Sequence, residues 1–110
     1  MKESLQHKLD RVADRYQELA ALLSDPDVIN NQNRFRDFSR EYAELEEVVL
    51  CYQRWQKAAA NISAARAMLD DSDPDMRAMG QDELAQASEQ AEALEQDLQR
   101  LPGNPCRHRW

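Results

Sequence analysis

The chain has 110 residues, enough for one domain; 42% are hydrophobic, 32% are charged, and the net charge is −7. No apolar run approaches the roughly 20 residues of a membrane-spanning helix, and the first residues contain no apolar signal core, so we expect a cytoplasmic protein without a membrane partner. Threonine is absent and there are only four valines and two isoleucines, which argues against a β-sheet and for an all-α chain.

The first predicted helix shows apolar residues at alternating steps of four and three, the spacing of a heptad seam: Leu5, Leu9, Val12, Tyr16, Leu19 and Leu23. It should end near Ser24. Asp25 is a suitable cap and Pro26 suits a first helical position, so a short helical turn is predicted over residues 26–30. Residues 30–33, rich in asparagine, predict a bend.

A long helix is predicted next, from about Arg34 to Asp70 and roughly 54 Å in length. No proline lies between Pro26 and Pro74, and no glycine precedes Gly80. The helix carries five of the seven aromatic residues on one apolar stripe, which predicts that other helices pack against it. The stripe is Phe35, Phe38, Tyr42, Leu45, Val49, Tyr52, Trp55, Ala59, Ile62 and Leu69.

The last predicted helix begins at Pro74, with Asp73 as its cap. Its alanine-rich seam would allow close approach of a neighbouring helix: Met76, either Met79 or Gly80, Leu84, Ala87, Ala91, Leu94, Leu98 and Leu101. Short connections favour antiparallel neighbours. We therefore predict an elongated antiparallel helical hairpin or three-helix bundle with one very long central helix, spanning residues 1–101, and a disordered tail at 102–110.

A search for chemistry gives no catalytic, cofactor-binding or metal-binding residues. Two distant glycines cannot form a phosphate-binding loop, and no nucleophile elbow or metalloprotease motif is present. Cys51 and Cys106 have no spaced histidine partners, and His7 is predicted on the exposed side of the first helix. We expect a protein that is not an enzyme and uses no cofactor.

Charge is unevenly distributed along the chain. Arg34, Arg36 and Arg40 form a small basic cluster, which either pairs with Asp37, Glu41 and Glu44 in the same helix or contacts a partner. Residues 71–101 carry two basic and nine acidic groups, which argues against docking of that face onto nucleic acid and is compatible with a basic protein partner.

Three segments of the sequence resemble a known protein family. The sequence from Arg34 to Leu45 resembles the start of the long helix in the N-terminal domain of bacterial peptide chain release factor 1. Residues 67–71 and 76–84 resemble the following turn and helix of that domain. The resemblance covers roughly residues 1–101 and is closer to release factor 1 than to release factor 2.

The resemblance implies a role in translation termination at UAA and UAG codons. Its implied partners are the ribosome, stalk-base proteins and a recycling GTPase. The Gly-Gly-Gln loop and the Pro-x-Thr-type tripeptide of such factors have no counterpart here, since the chain contains no Gly-Gly pair and no threonine. We therefore expect a chain that is inactive by itself, and a truncated or frameshifted product, because the sequence departs from the family after Pro102.

Two other readings stay open. A free-standing helical oligomerisation or adaptor protein could form a homodimer through exposed helix faces. An acidic nucleic-acid mimic would need a broad acidic face, which only the last helix offers.

Overall fold

The computed structural model describes residues 2–100, and these form four α-helices and no strand. The all-α prediction is confirmed, and the predicted helix boundaries hold to within about two residues. The predicted disorder of residues 102–110 lies outside the described residues, as does Leu101. The helices are α1 (Glu3–Leu23), α2 (Pro26–Ile29), α3 (Gln32–Leu69) and α4 (Pro74–Arg100).

Short polar side chains cap the starts of α2, α3 and α4. The Asp25 carboxylate accepts a hydrogen bond from the Asp27 amide at 3.0 Å, with Pro26 at the first helical position of α2. The Asp73 carboxylate accepts from the Asp75 amide at 3.0 Å before α4. Asn31 accepts from the Arg34 amide through its side chain and from the Phe35 amide through its carbonyl oxygen. Asn31 thereby starts α3 two residues earlier than predicted, inside the asparagine-rich run.

The chain divides into two compact units. Among the described residues, the first contains α1, α2, α3 up to Leu50, and the end of α4 from Leu98. Its fully buried side chains come from every one of these helices, which confirms the heptad seam of α1 as a core-facing stripe. They are Leu9, Leu19, Val28, Val48 and Leu98.

The second unit spans Cys51–Asp97 and is built from the rest of α3 and most of α4. The Cys51 thiol lies 3.7 Å from the Leu94 carbonyl oxygen, and Gly80 lies against Met68, so the two segments run antiparallel. The predicted hairpin is thus confirmed for this unit. Its buried side chains are mostly small or aromatic: Cys51, Tyr52, Trp55, Ala58, Ala65, Ala87, Ala91 and Leu94.

The predicted long stripe is wrong at Phe35 and only half-buried at Ala59. Phe35 is 40% exposed, because it stands in the first turn of α3 and at the edge of the buried stripe. Ala58 is buried more deeply than the predicted Ala59. On α4 the seam passes through Gly80, which is buried, and leaves Met79 exposed.

At Gly80 the backbone of α4 comes close to α3. A β-carbon at this position would lie 2.8 Å from Met68 Cβ, 3.0 Å from the Ala65 carbonyl oxygen and 3.3 Å from the Leu69 amide nitrogen. These neighbours are backbone atoms and a β-carbon, which cannot rotate away. Only a hydrogen atom fits between the two helices here, so the glycine sets their separation.

We predict that Gly80→Ala destabilises the protein by about 1–2 kcal/mol, although alanine is the better helix former by about 1 kcal/mol. The added methyl group must push the two helices apart. Urea unfolding followed by circular dichroism measures the effect. Ser88→Ala, at an exposed position of the same helix, is the control and should be neutral or slightly stabilising. A more stable Gly80→Ala protein would show that the approach is looser than described.

Candidate interaction surface

Three arginines lie exposed on the first turns of α3: Arg34, Arg36 and Arg40. Arg36 Nε lies 3.8 Å from Asp37 Oδ1, and both side chains are about two-thirds exposed (66% and 67%), so water screens this pair. Within the described residues, neither the Arg34 nor the Arg40 guanidinium contacts a carboxylate. Pairing within the helix, one of the two alternatives from the sequence, therefore accounts for little of the cluster.

Glu41, one of the carboxylates considered as a partner for the cluster, instead binds Arg15 of α1. Arg15 Nε and Nη2 donate to the two carboxylate oxygens at 2.8 and 2.9 Å, a bidentate pair that is half-buried. Arg15 Nη1 also donates to Glu18 at 2.8 Å. The hydrogen bonds from Arg15 lower the pKa of Glu41, and those to Glu41 raise the pKa of Arg15.

The next residue of each helix also contacts the other helix, through an aromatic stack. The rings of Tyr16 and Tyr42 stack with centroids 4.3 Å apart and planes 13° from parallel. The hydrogen bond with Tyr42, together with burial, raises the pKa of Tyr16 to about 12. Two successive residues of α1 thus bind two successive residues of α3. We call Arg15, Tyr16, Glu41 and Tyr42 the α1–α3 clamp.

Phe38 connects the clamp to the start of α3. The guanidinium carbons of Arg15 and Arg34 lie 5.9 and 5.7 Å from the centroid of its ring, which is within range of a cation–π attraction. The Arg34 charge is therefore held beside an aromatic ring and stays available to other groups.

Two apolar side chains are exposed beside these arginines. Ile29, which ends α2, is 50% exposed, and Phe35 is 40% exposed. We call Ile29, Arg34, Phe35, Arg36 and Arg40 the corner surface. Neither apolar residue was predicted at a surface. Ile29 lay in a segment with no periodic pattern, and Phe35 fitted the buried stripe.

The remaining residues singled out in the sequence lie elsewhere. His7 is 68% exposed and 3.7 Å from Glu3, as expected of a surface histidine. Cys51 is buried, and burial raises the pKa of its thiol. Cys106 lies outside the described residues. Across residues 2–100, no three side chains of the metal-binding types come together.

Among the described residues, no helix is both long enough and apolar enough to cross a membrane. A family model described as the PCRF domain matches residues 12–105. The match begins within α1 and includes all of α2, α3 and α4. The α1–α3 clamp and the corner surface both lie inside it.

We predict that Glu41→Gln destabilises the protein at pH 7 by less than about 1 kcal/mol, since the pair is partly exposed. Because the Glu41 pKa is lowered on folding, its stabilisation is present above its ordinary value of 4.5 and is lost as the pH falls below it. Melting temperatures of the two proteins should therefore differ at pH 7 and converge well below pH 4.5.

Glu18→Gln is the matched control, because Glu18 binds the same arginine but is 61% exposed and one turn away in α1. It should change the melting temperature less than Glu41→Gln does. Equal effects of the two variants, or a difference that persists in acid, would contradict the role assigned to the clamp.

Proposed function

The chain belongs to the PCRF domain family of peptide chain release factors, and we propose that it is the N-terminal helical domain of a bacterial factor of the release factor 1 type. Membership of the family gives the general role, which is translation termination on the ribosome. The finer proposal is that the factor acts at UAA and UAG codons.

The observation that carries the proposal is the extent of the family match together with where the similar segments lie. The match covers residues 12–105. The segment from Arg34 to Leu45 forms the first turns of α3, and the segments at 67–71 and 76–84 form the α3–α4 connection and the start of α4. The sequence resemblance and the family match thus point to the same helices.

We propose further that this chain contributes binding and not hydrolysis. The resemblance implies a Gly-Gly-Gln loop for ester hydrolysis and a Pro-x-Thr-type tripeptide for codon reading. This sequence has no Gly-Gly pair and no threonine that could supply either element. The proposed partners are the ribosome in the cytoplasm, proteins of the stalk base and a recycling GTPase.

A peptide-release assay tests this division of labour. Ribosomes carry labelled formyl-methionyl-tRNA in the peptidyl site and UAA in the decoding site. The chain alone should release no label above the rate without factor. It should sediment with ribosomes and, in excess, slow release by an intact class I factor. An unrelated acidic helical protein of similar size serves as the control for nonspecific inhibition.

Two results would contradict the proposal in different ways. Release that depends on the stop codon would show that the chain is itself a hydrolytic factor. Failure both to sediment with ribosomes and to compete would show that it does not dock there.

The DNA downstream of the coding sequence tests the link to release factor 1. A reading frame in any phase that encodes a Gly-Gly-Gln loop and a Pro-x-Thr-type tripeptide is expected. A frame with a different codon-reading tripeptide would argue for another member of the family, and no such frame at all would argue for a free-standing protein.

A further inference from the structure

We propose that the corner surface docks a protein segment that is acidic and carries apolar side chains on one face, such as an amphipathic helix. Two exposed apolar residues, three arginines with a single exposed carboxylate contact among them, and the turn between α2 and α3 all lie in residues 29–40. The proposed docking depends on those residues alone and does not require a role in termination.

The charge of the corner favours an acidic partner. Residues 29–40 contain three arginines and one carboxylate, Asp37, in a chain whose net charge is −7. The Arg40 side chain makes no ion pair or hydrogen bond within the described residues, and the Arg36 side chain has only the exposed contact at 3.8 Å. Because Glu41 faces Arg15 in a bidentate pair, its charge is compensated on the α1 side of the helix. Carboxylates of a partner would find unpaired guanidinium groups here.

The apolar residues favour a partner with apolar side chains of its own. Ile29 and Phe35 are half-exposed although each could cover substantial area on docking. The Asn31 carbonyl oxygen accepts a hydrogen bond from the Phe35 amide, so one helical turn separates Asn31 from Phe35. Ile29 precedes Asn31 by two residues. Their Cα atoms are therefore no more than about 13 Å apart. Side chains one or two turns apart on a helix, at about 6 or 11 Å, span such a distance.

A nucleic-acid partner fits the same surface less well. Phosphates would satisfy the arginines and a base could stack on Phe35, but the aliphatic side chain of Ile29 would stay uncovered. Asp25 and Asp27 at the start of α2 and Glu44 further along α3 would repel a polyanion that extended beyond the corner. An acidic peptide of limited length avoids these groups.

Fluorescence anisotropy with labelled peptides of roughly 18 residues tests the proposal at low ionic strength. The first peptide is an amphipathic helix with leucines on one face and glutamates on the other. The second has lysines in place of the glutamates, and the third has serines in place of the leucines. A single-stranded oligouridine is the nucleic-acid probe. Only the first peptide should bind in a way that depends on the corner residues.

Matched variants locate the site. Phe35→Ser and Arg36→Gln should each weaken binding of the first peptide by about fivefold or more. Leu50→Ser and Arg54→Gln are the controls, since Leu50 is 43% exposed and Arg54 is exposed on the same helix. Both controls should leave the affinity unchanged. Circular dichroism confirms that all four variants keep their helices.

Several results would overturn the proposal. Absence of binding, or binding of the serine peptide as tight as that of the first, would show that no apolar contact is made. Tighter binding of oligouridine, lost in Arg36→Gln, would assign the corner to nucleic acid. Equal losses in the variants and the controls would place the peptide elsewhere. A dimer that Phe35→Ser dissociates in sedimentation equilibrium would show that a second copy of the chain covers the corner.

Discussion

The rest of the structure depends on the continuity of α3 over 38 residues. A different stretch of this helix supplies buried residues to each compact unit. Val48 and Val49 are buried in the first unit, and Cys51 and Tyr52 are buried in the second. A proline in the interior would cost about 3 kcal/mol and a glycine about 1 kcal/mol, and the stretch contains neither. The composition of one helix thereby supports the cores of both units.

Different interactions stabilise the inside of each unit. In the first, the α1–α3 clamp adds a bidentate ion pair and a tyrosine stack to an aliphatic core. In the second, alanines and Gly80 bring the backbones close, and Trp55 Nε1 donates to Glu95 at 3.1 Å at the edge. In the first unit, directional contacts fix how α1 and α3 align along their lengths. In the second unit, the close packing of small residues fixes how α3 and α4 align.

Much of the fold could be predicted because helix boundaries and seams are local properties. Asp25-Pro26 and Asp73-Pro74 carry their own start signals, and the seam of α1 follows from its heptad spacing. The clamp could not be predicted, because periodicity describes one helix at a time and the Arg15–Glu41 contact depends on how two helices align. The exposure of Phe35 was missed for a related reason: a stripe does not show where the covering helices stop.

The corner surface exists because some arginines of the first unit are paired with carboxylates and others are not. Arg15 and Arg34 share the Phe38 ring, but only Arg15 also has carboxylate partners. The clamp therefore pairs the arginine of α1, Arg15, and leaves the arginines at the start of α3 exposed. Contacts with a partner are expected where exposed apolar area and unpaired charge coincide, as they do at the turn from α2 into α3.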